Sequence, residues 1–253
     1  MRPVVLLIAV IGLFVGAACR PSTRGPSTPE GPSEARPPGR SGQAPATQGG
    51  LRDAQATPRS GQGPVQGRIV FLGDSLTAGL GLAPEQSYPA LLQRKLDANG
   101  YRYEVVNAGV SGDTSAGALR RLDWSLEGDV KILVVALGGN DGLRGLSPQD
   151  MKANLTAIVE RARQSGITVI LTGMEAPPNY GADYTRQFRD VYLDLAKTYD
   201  VRVVPFLLQG VAGVSGLNQA DGIHPNARGA QLVADLVWRA LEPVLARPAA
   251  VTQ

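Results

Sequence analysis

The run VKILVVALGG at residues 130–139 constrains the fold more than any other stretch of the chain. A single lysine interrupts an otherwise apolar, β-branched segment, and two glycines close it. A strand that is apolar without alternation is buried on both faces, as happens where helices cover both sides of a parallel sheet. Four further runs read as strands: RIVFLGD (68–74), EVVNAGV (104–110), ITVILTGM (167–174) and RVVPF (202–206). Between them the apolar spacing becomes helical. Tyr88, Leu91, Leu92 and Leu96 mark a helix over 88–98, and shorter helical spacing covers 114–122. Ser147-Pro148-Gln149-Asp150 opens another helix, with Ser147 as N-cap and Pro148 at its first position; it runs to Gln164 and stops at Gly166. Helices over 184–199 and 225–245 complete the alternation. Five β-type runs joined by helices predict a parallel sheet covered on both faces, in a domain spanning 67–247 with a short tail at 248–253.

Ahead of residue 67 the composition is different. Residues 1–66 hold 7 of the 25 Lys and Arg and 3 of the 22 Asp and Glu, so the basic balance of the chain belongs to this segment. The remaining 18 basic and 19 acidic residues leave the domain close to neutral, which argues against a nucleic-acid surface. The first residues read MRPVVLLIAVIGLFVGAAC: one arginine, an apolar run from Val4 to Val15, then small residues. This is the pattern of an export signal, over residues 1–18. Gly16-Ala17-Ala18-Cys19 resembles a bacterial lipobox, which implies lipidation at Cys19 and a membrane-anchored lipoprotein facing the periplasm or the cell exterior. Cys19 is the only cysteine, so no internal disulfide is possible. Residues 20–66 carry nine of the nineteen prolines and few large apolar side chains. Such a composition cannot bury enough surface to offset its ordering entropy, and 19–66 is expected to be a disordered tether.

In parallel α/β sheets, ligands bind beyond the carboxyl ends of the strands. The polar residues of this chain collect there. Asp74-Ser75 follows the first strand, Asn107-Ala108-Gly109 ends the second, Gly138-Gly139-Asn140-Asp141 follows the third, and Asp221-Gly222-Ile223-His224-Pro225 precedes the last helix. His224 is the only histidine, which excludes two-His and three-His zinc sites. The phosphate loop GxxxxGK[ST] and the elbow GxSxG are both absent, so no cofactor is expected. Each residue also has an ordinary explanation: Asp74 as a helix cap, His224-Pro225 as a helix entry with Pro225 at the first helical position, Gly109 as a strand-ending turn, Asn140 in a local side-chain bond. The spacing of Asp221 and His224 adds a chemical one. Three residues across a turn bring a carboxylate to one imidazole nitrogen, leaving the other to take a proton from a serine hydroxyl.

The chain resembles the SGNH hydrolases, the GDSL esterases and lipases, across 67–246. FLGDSLTAGLGL, VVNAGVSGDTS, LGGND and DGIHPN stand in the order of that family's four blocks. The resemblance implies a flavodoxin-like three-layer α/β/α sandwich with a five-stranded parallel sheet, and a serine esterase. It makes Ser75 the nucleophile and Asp221 and His224 its partners. The Ser75 amide, the Gly109 amide and the Asn140 side chain would form the oxyanion hole. Asp74 is expected to hold the turn, and the small residues from Thr77 to Gly81 to leave room for substrate.

LGGNDGLRG (137–145) and GMEAPPNYG (173–181) further resemble the bacterial thioesterase/protease/lysophospholipase and arylesterase branch. There the second segment is a loop beside the acyl groove, which implies substrate contacts from Met174, Pro177, Pro178, Asn179 and Tyr180, with Gly173 and Gly181 as hinges. The substrates implied are aryl and acyl esters, acyl thioesters and lysophospholipids. An esterase removing acetyl groups from envelope carbohydrate, a non-catalytic tethered binding module and a flavodoxin-like nucleotide binder are the alternatives.

Overall fold

The computed structural model describes residues 65–245. The chain divides into two units, Met1–Ala56 and Thr57–Gln253, and every described residue belongs to the second. The expected export signal, Cys19, the tether up to residue 64 and the tail from 248 lie outside the described residues.

Five strands form one sheet: β1 (Gly67–Gly73), β2 (Tyr103–Gly109), β3 (Val130–Ala136), β4 (Thr168–Thr172) and β5 (Arg202–Val204). All neighbours pair in parallel, in the order β2-β1-β3-β4-β5. This is the doubly wound order of flavodoxin-like folds, and its direction of winding reverses between β1 and β3. The register sets Gly73 beside Gly109 of β2 and Ala136 of β3, so three strands end side by side at that reversal.

The helices are α1 (Ser75–Ala78), α2 (Tyr88–Ala98), α3 (Ser115–Arg120), α4 (Leu122–Ser125), α5 (Gly139–Leu143), α6 (Pro148–Gln164), α7 (Ala182–Tyr199) and α8 (Ala227–Leu241). Contacts join α2 to α8, and α6 to both α3 and α7, sorting the long helices into two layers. The unbroken apolar runs are used as such: Ile69 to Leu72 of β1 and Ile132 to Ala136 of β3 are all buried. Against one face α6 sets Met151, Leu155, Ile158, Val159 and Ala162, a helical stripe without exposed members. Truncating a side chain such as Leu155 to alanine costs about 2–5 kcal/mol in cores of this kind. No helix among the described residues is long and apolar enough to cross a membrane.

Several element boundaries differ from the sequence reading, three of them beside the polar strand ends. The third strand stops at Ala136, because Gly138 takes a positive φ of 108° and caps the new helix α5, which carries Asn140. The expected helix at 114–122 is two short ones meeting at Arg121. The last helix begins at Ala227 and not at Pro225. Asn226 is its N-cap, accepting the Arg228 and Gly229 amides at 3.0 and 3.1 Å, while Pro225 bridges to Asn218 outside the helix.

Candidate active site

Ser75 is the first residue of α1, directly beyond the end of β1. Asp74 caps that turn, its Oδ1 accepting the Leu76 amide at 3.0 Å. The small residues that follow divide between packing and the cleft: Gly79 and Leu80 line the opening at Ser75, while the others are used for contacts within the fold. Thr77 is buried and bonded to the Tyr88 hydroxyl at 2.9 Å, a Cβ on Gly79 would stand 2.7 Å from Ser87 Cβ, and one on Gly81 would collide with Gln219. Gln219 in turn donates from Nε2 to Leu80 O at 2.7 Å and to Pro225 O at 3.0 Å, tying the Ser75 turn to the histidine loop.

His224 and Ser75 are 149 residues apart in sequence, yet Ser75 Oγ and His224 Nε2 lie 2.8 Å apart. On the other side of the ring, Nδ1 lies 2.7 Å from Asp221 Oδ2. Asp221 Oδ1 accepts the Ile223 and His224 amides at 2.9 and 3.0 Å. These amides, that of His224 foremost, hold the Asp221 carboxyl down at about 2, with the imidazole contact adding to them. An ionised Asp221 fixes the tautomer with hydrogen on Nδ1, which leaves the Nε2 lone pair facing the serine hydroxyl.

Asn140 donates from Nδ2 to Asp113 O at 3.0 Å and approaches Asp74 Oδ2 at 3.4 Å. Asp74 is therefore more than a cap: it is 2% exposed and lies between the Ser75 turn and Asn140. Burial raises its pKa to about 6, opposed by the Leu76 amide and by the charge of His224.

The Gly109 expectation needs correction. Its amide already donates to Asn107 Oδ1 at 3.0 Å, and a Cβ there would stand 2.2 Å from the Ala78 backbone nitrogen. Gly109 is glycine because two backbones pass at that point. The asparagine two residues earlier, an Asx-turn signal, was the sequence clue. Gly112, in the same block, is different: it is exposed, has φ of 83°, and its N–H has no protein acceptor among the described residues. The next residue, Asp113, carries the carbonyl that holds Asn140.

A hydroxyl–imidazole–carboxylate relay thus stands at the topological switch point of the sheet, with Asn140 nearby across Asp74. The family model of GDSL-like lipases and acylhydrolases matches residues 71–232. The chain belongs to that family. Among its GDSL relatives, Esterase TesA of Pseudomonas aeruginosa is 46% identical over 178 residues, covering 70% of this chain and 89% of the relative. Thioesterase 1/protease 1/lysophospholipase L1 of Escherichia coli K12 is 37% identical, covering 70% and 84%. The crystal structure of the psychrotrophic esterase EstA from Pseudoalteromonas sp., inhibited by monoethylphosphonate, superposes with a TM-score of 0.67 at 36% identity, covering 70% of this chain and 97% of EstA.

The segment expected to act as the substrate loop of this GDSL-like hydrolase is fixed at its start and exposed over much of the rest. Gly173 is no hinge: its amide donates to Val204 O at 2.7 Å and its carbonyl accepts from Leu207 at 2.9 Å. Met174 is buried with its methyl group against Gly139, next to Asn140. Pro177 precedes a short 3₁₀ turn over Pro178–Tyr180; Asn179 in that turn is exposed, and the Tyr180 hydroxyl donates to Leu143 O at 3.0 Å. The segment therefore rests on the α5 flank of the site. The narrow cleft that opens at Ser75 lies elsewhere, lined by Leu76, Leu80, Leu82, Leu207, Leu208 and Val233 among others, with none of the five expected residues. Sequence reasoning also missed Asp141. Buried beside Asn140, it accepts the Ser115 hydroxyl at 2.6 Å and the Ser115 amide at 2.9 Å, pinning the start of α3.

Proposed function

We propose that Ser75, His224 and Asp221 are the catalytic triad of a carboxylic-ester hydrolase that works through an acyl-enzyme. The observation that carries this reading is the unbroken relay of 2.8 and 2.7 Å contacts from Ser75 Oγ through the imidazole to Asp221. Ser75 Oγ attacks the carbonyl carbon as its proton passes to His224 Nε2, and Asp221 stabilises the imidazolium that results. The oxyanion that develops is met by the amides of Ser75 and Gly112 and by Asn140. Gly112 takes the place first assigned to Gly109, whose N–H is occupied. The Asp113 bond orients the Asn140 amide, and its second N–H, held only by the longer Asp74 contact, turns to the oxyanion. Collapse of the tetrahedral intermediate expels the alcohol or thiol, protonated by His224, and water repeats the sequence to free the acid.

The substrates this reading favours are aryl and acyl esters, with acyl thioesters and lysophospholipids beside them. The relatives' names support that range. In the same reading residues 1–18 direct export, Cys19 carries a lipid, and the following segment tethers the hydrolase to a membrane.

The test is a panel of p-nitrophenyl esters from acetyl to dodecanoyl, acyl thioesters and lysophospholipids, run on the full chain and on Ser75→Ala. Turnover that disappears in Ser75→Ala is the expected result, and near-normal turnover in that variant overturns the mechanism. A strict preference for acetyl esters would replace the lipid-directed reading with that of an acetylesterase. Incorporation of labelled lipid into the full chain but not into Cys19→Ser tests the anchor.

A further inference from the structure

Arg121 stands where α3 meets α4, and its guanidinium is directed inward, with 18% of the side chain exposed. Its Nε donates to Asp113 Oδ2 at 2.7 Å, and its Nη2 donates to Gly73 O at 3.0 Å. These two acceptors belong to different halves of the site. Gly73 is the last residue of β1, one peptide before Asp74 and two before Ser75. Asp113 follows Gly112, and its carbonyl accepts the Asn140 side chain. One planar group therefore ties the nucleophile turn to the loop that presents the oxyanion donors, through bonds at fixed angles.

The surroundings are built for that fork. The Asp113 carboxylate is 13% exposed and occupies the space that a side chain at position 117 would need. A Cβ on Gly117 would collide with Asp113 Oδ1. The Asp113 amide donates back to Val110 O at 3.0 Å, closing the turn that holds Gly112.

We propose that Arg121 is a positioning residue for ester hydrolysis, presetting the distance between Ser75 and the Gly112 and Asn140 donors through Gly73 O and Asp113. The proposal rests on the triad reading above. Arg121 touches no reacting atom, so its removal acts on the transition state through geometry alone.

The experiment uses the full chain, p-nitrophenyl butyrate and thermal unfolding followed by circular dichroism. Arg121→Lys keeps the positive charge but cannot make both bonds in a fork, whereas Gly117→Ala displaces Asp113 without touching either charge. In both variants kcat should fall about 10- to 100-fold, the range for small misplacements, with KM within about twofold and cooperative unfolding retained. Because Arg121 acts partly through Asn140, Arg121→Lys should lower kcat by a smaller factor in an Asn140→Ala background than in the parent chain. Two outcomes overturn the proposal: kcat of folded Arg121→Lys within twofold of the parent, or a loss that multiplies in full with that of Asn140→Ala. Should Arg121→Lys not fold, Gly117→Ala decides alone by the same criteria. The triad reading fails separately, by activity retained in Ser75→Ala.

Discussion

Two carboxylates feel the charge of the same imidazole and are handled in opposite ways. Asp221 sits on an exposed turn, accepts two backbone amides and the His224 ring, and is held down at about 2. Asp74 is 2% exposed, accepts one amide at short range, and is pushed up to about 6. The exposed one is the more acidic because donors aimed at its oxygens favour its charged form, and the buried one is not because desolvation outweighs its single close amide. Location relative to solvent therefore does not reveal which acid serves the histidine. The donors do.

The largest expected effect tests the region that Asp221 serves. Ser75→Ala or His224→Ala should lower kcat about a millionfold, as when a triad acts as a unit, measured by ester turnover with active-site titration. Asp221→Asn should lower kcat about 10⁴-fold by favouring the wrong imidazole tautomer. Asp74→Asn should cost far less activity than that, and equal losses would erase the contrast between the two acids. Asn140→Ala should cost about 10²–10³ in kcat with KM little changed.

The smallest effect is on stability and isolates Asp74. A carboxyl raised in the folded state holds its proton after the unfolded chain has released it. Its contribution to stability is thus full below pH 3.8 and is lost as pH rises through about 6. The difference in unfolding free energy amounts to about 3 kcal/mol for a shift of this size. Urea unfolding between pH 4 and 7 should show a slope in the parent chain that Asp74→Asn lacks. Parallel slopes would mean that burial does not control this acid. Asp221 has the opposite sign: its depressed pKa adds stability above pH 3.8, lost only as pH falls toward 2.

Much of this site is legible in the order of the amino acids, for a reason that differs from residue to residue. Asp221 and His224 are three residues apart, so a turn suffices to join them, and their pairing follows from local chain geometry. Ser147 as a cap and the helix from Pro148 to Gln164 follow from the same short range. Gly109 and Gly112 show the limit. Both are glycines in one block, and only the Asn107 side chain and the passing Ala78 backbone show which amide is occupied. Gly81 reads as space for a ligand and is space for Gln219.

What the sequence determined by itself is the period of its apolar residues, and with it five strands, the helices between them and the strand ends where polar groups collect. Periodicity and capping act over three or four residues, so they survive without knowledge of the fold. The tertiary structure decided the rest. It set the 2.8 Å between Ser75 and His224, buried Asp74 and Asp141, and closed the Arg121 fork on Gly73 and Asp113. Those outcomes depend on which groups arrive from distant parts of the chain, since the environment of a donor or an acid is made by its neighbours in space.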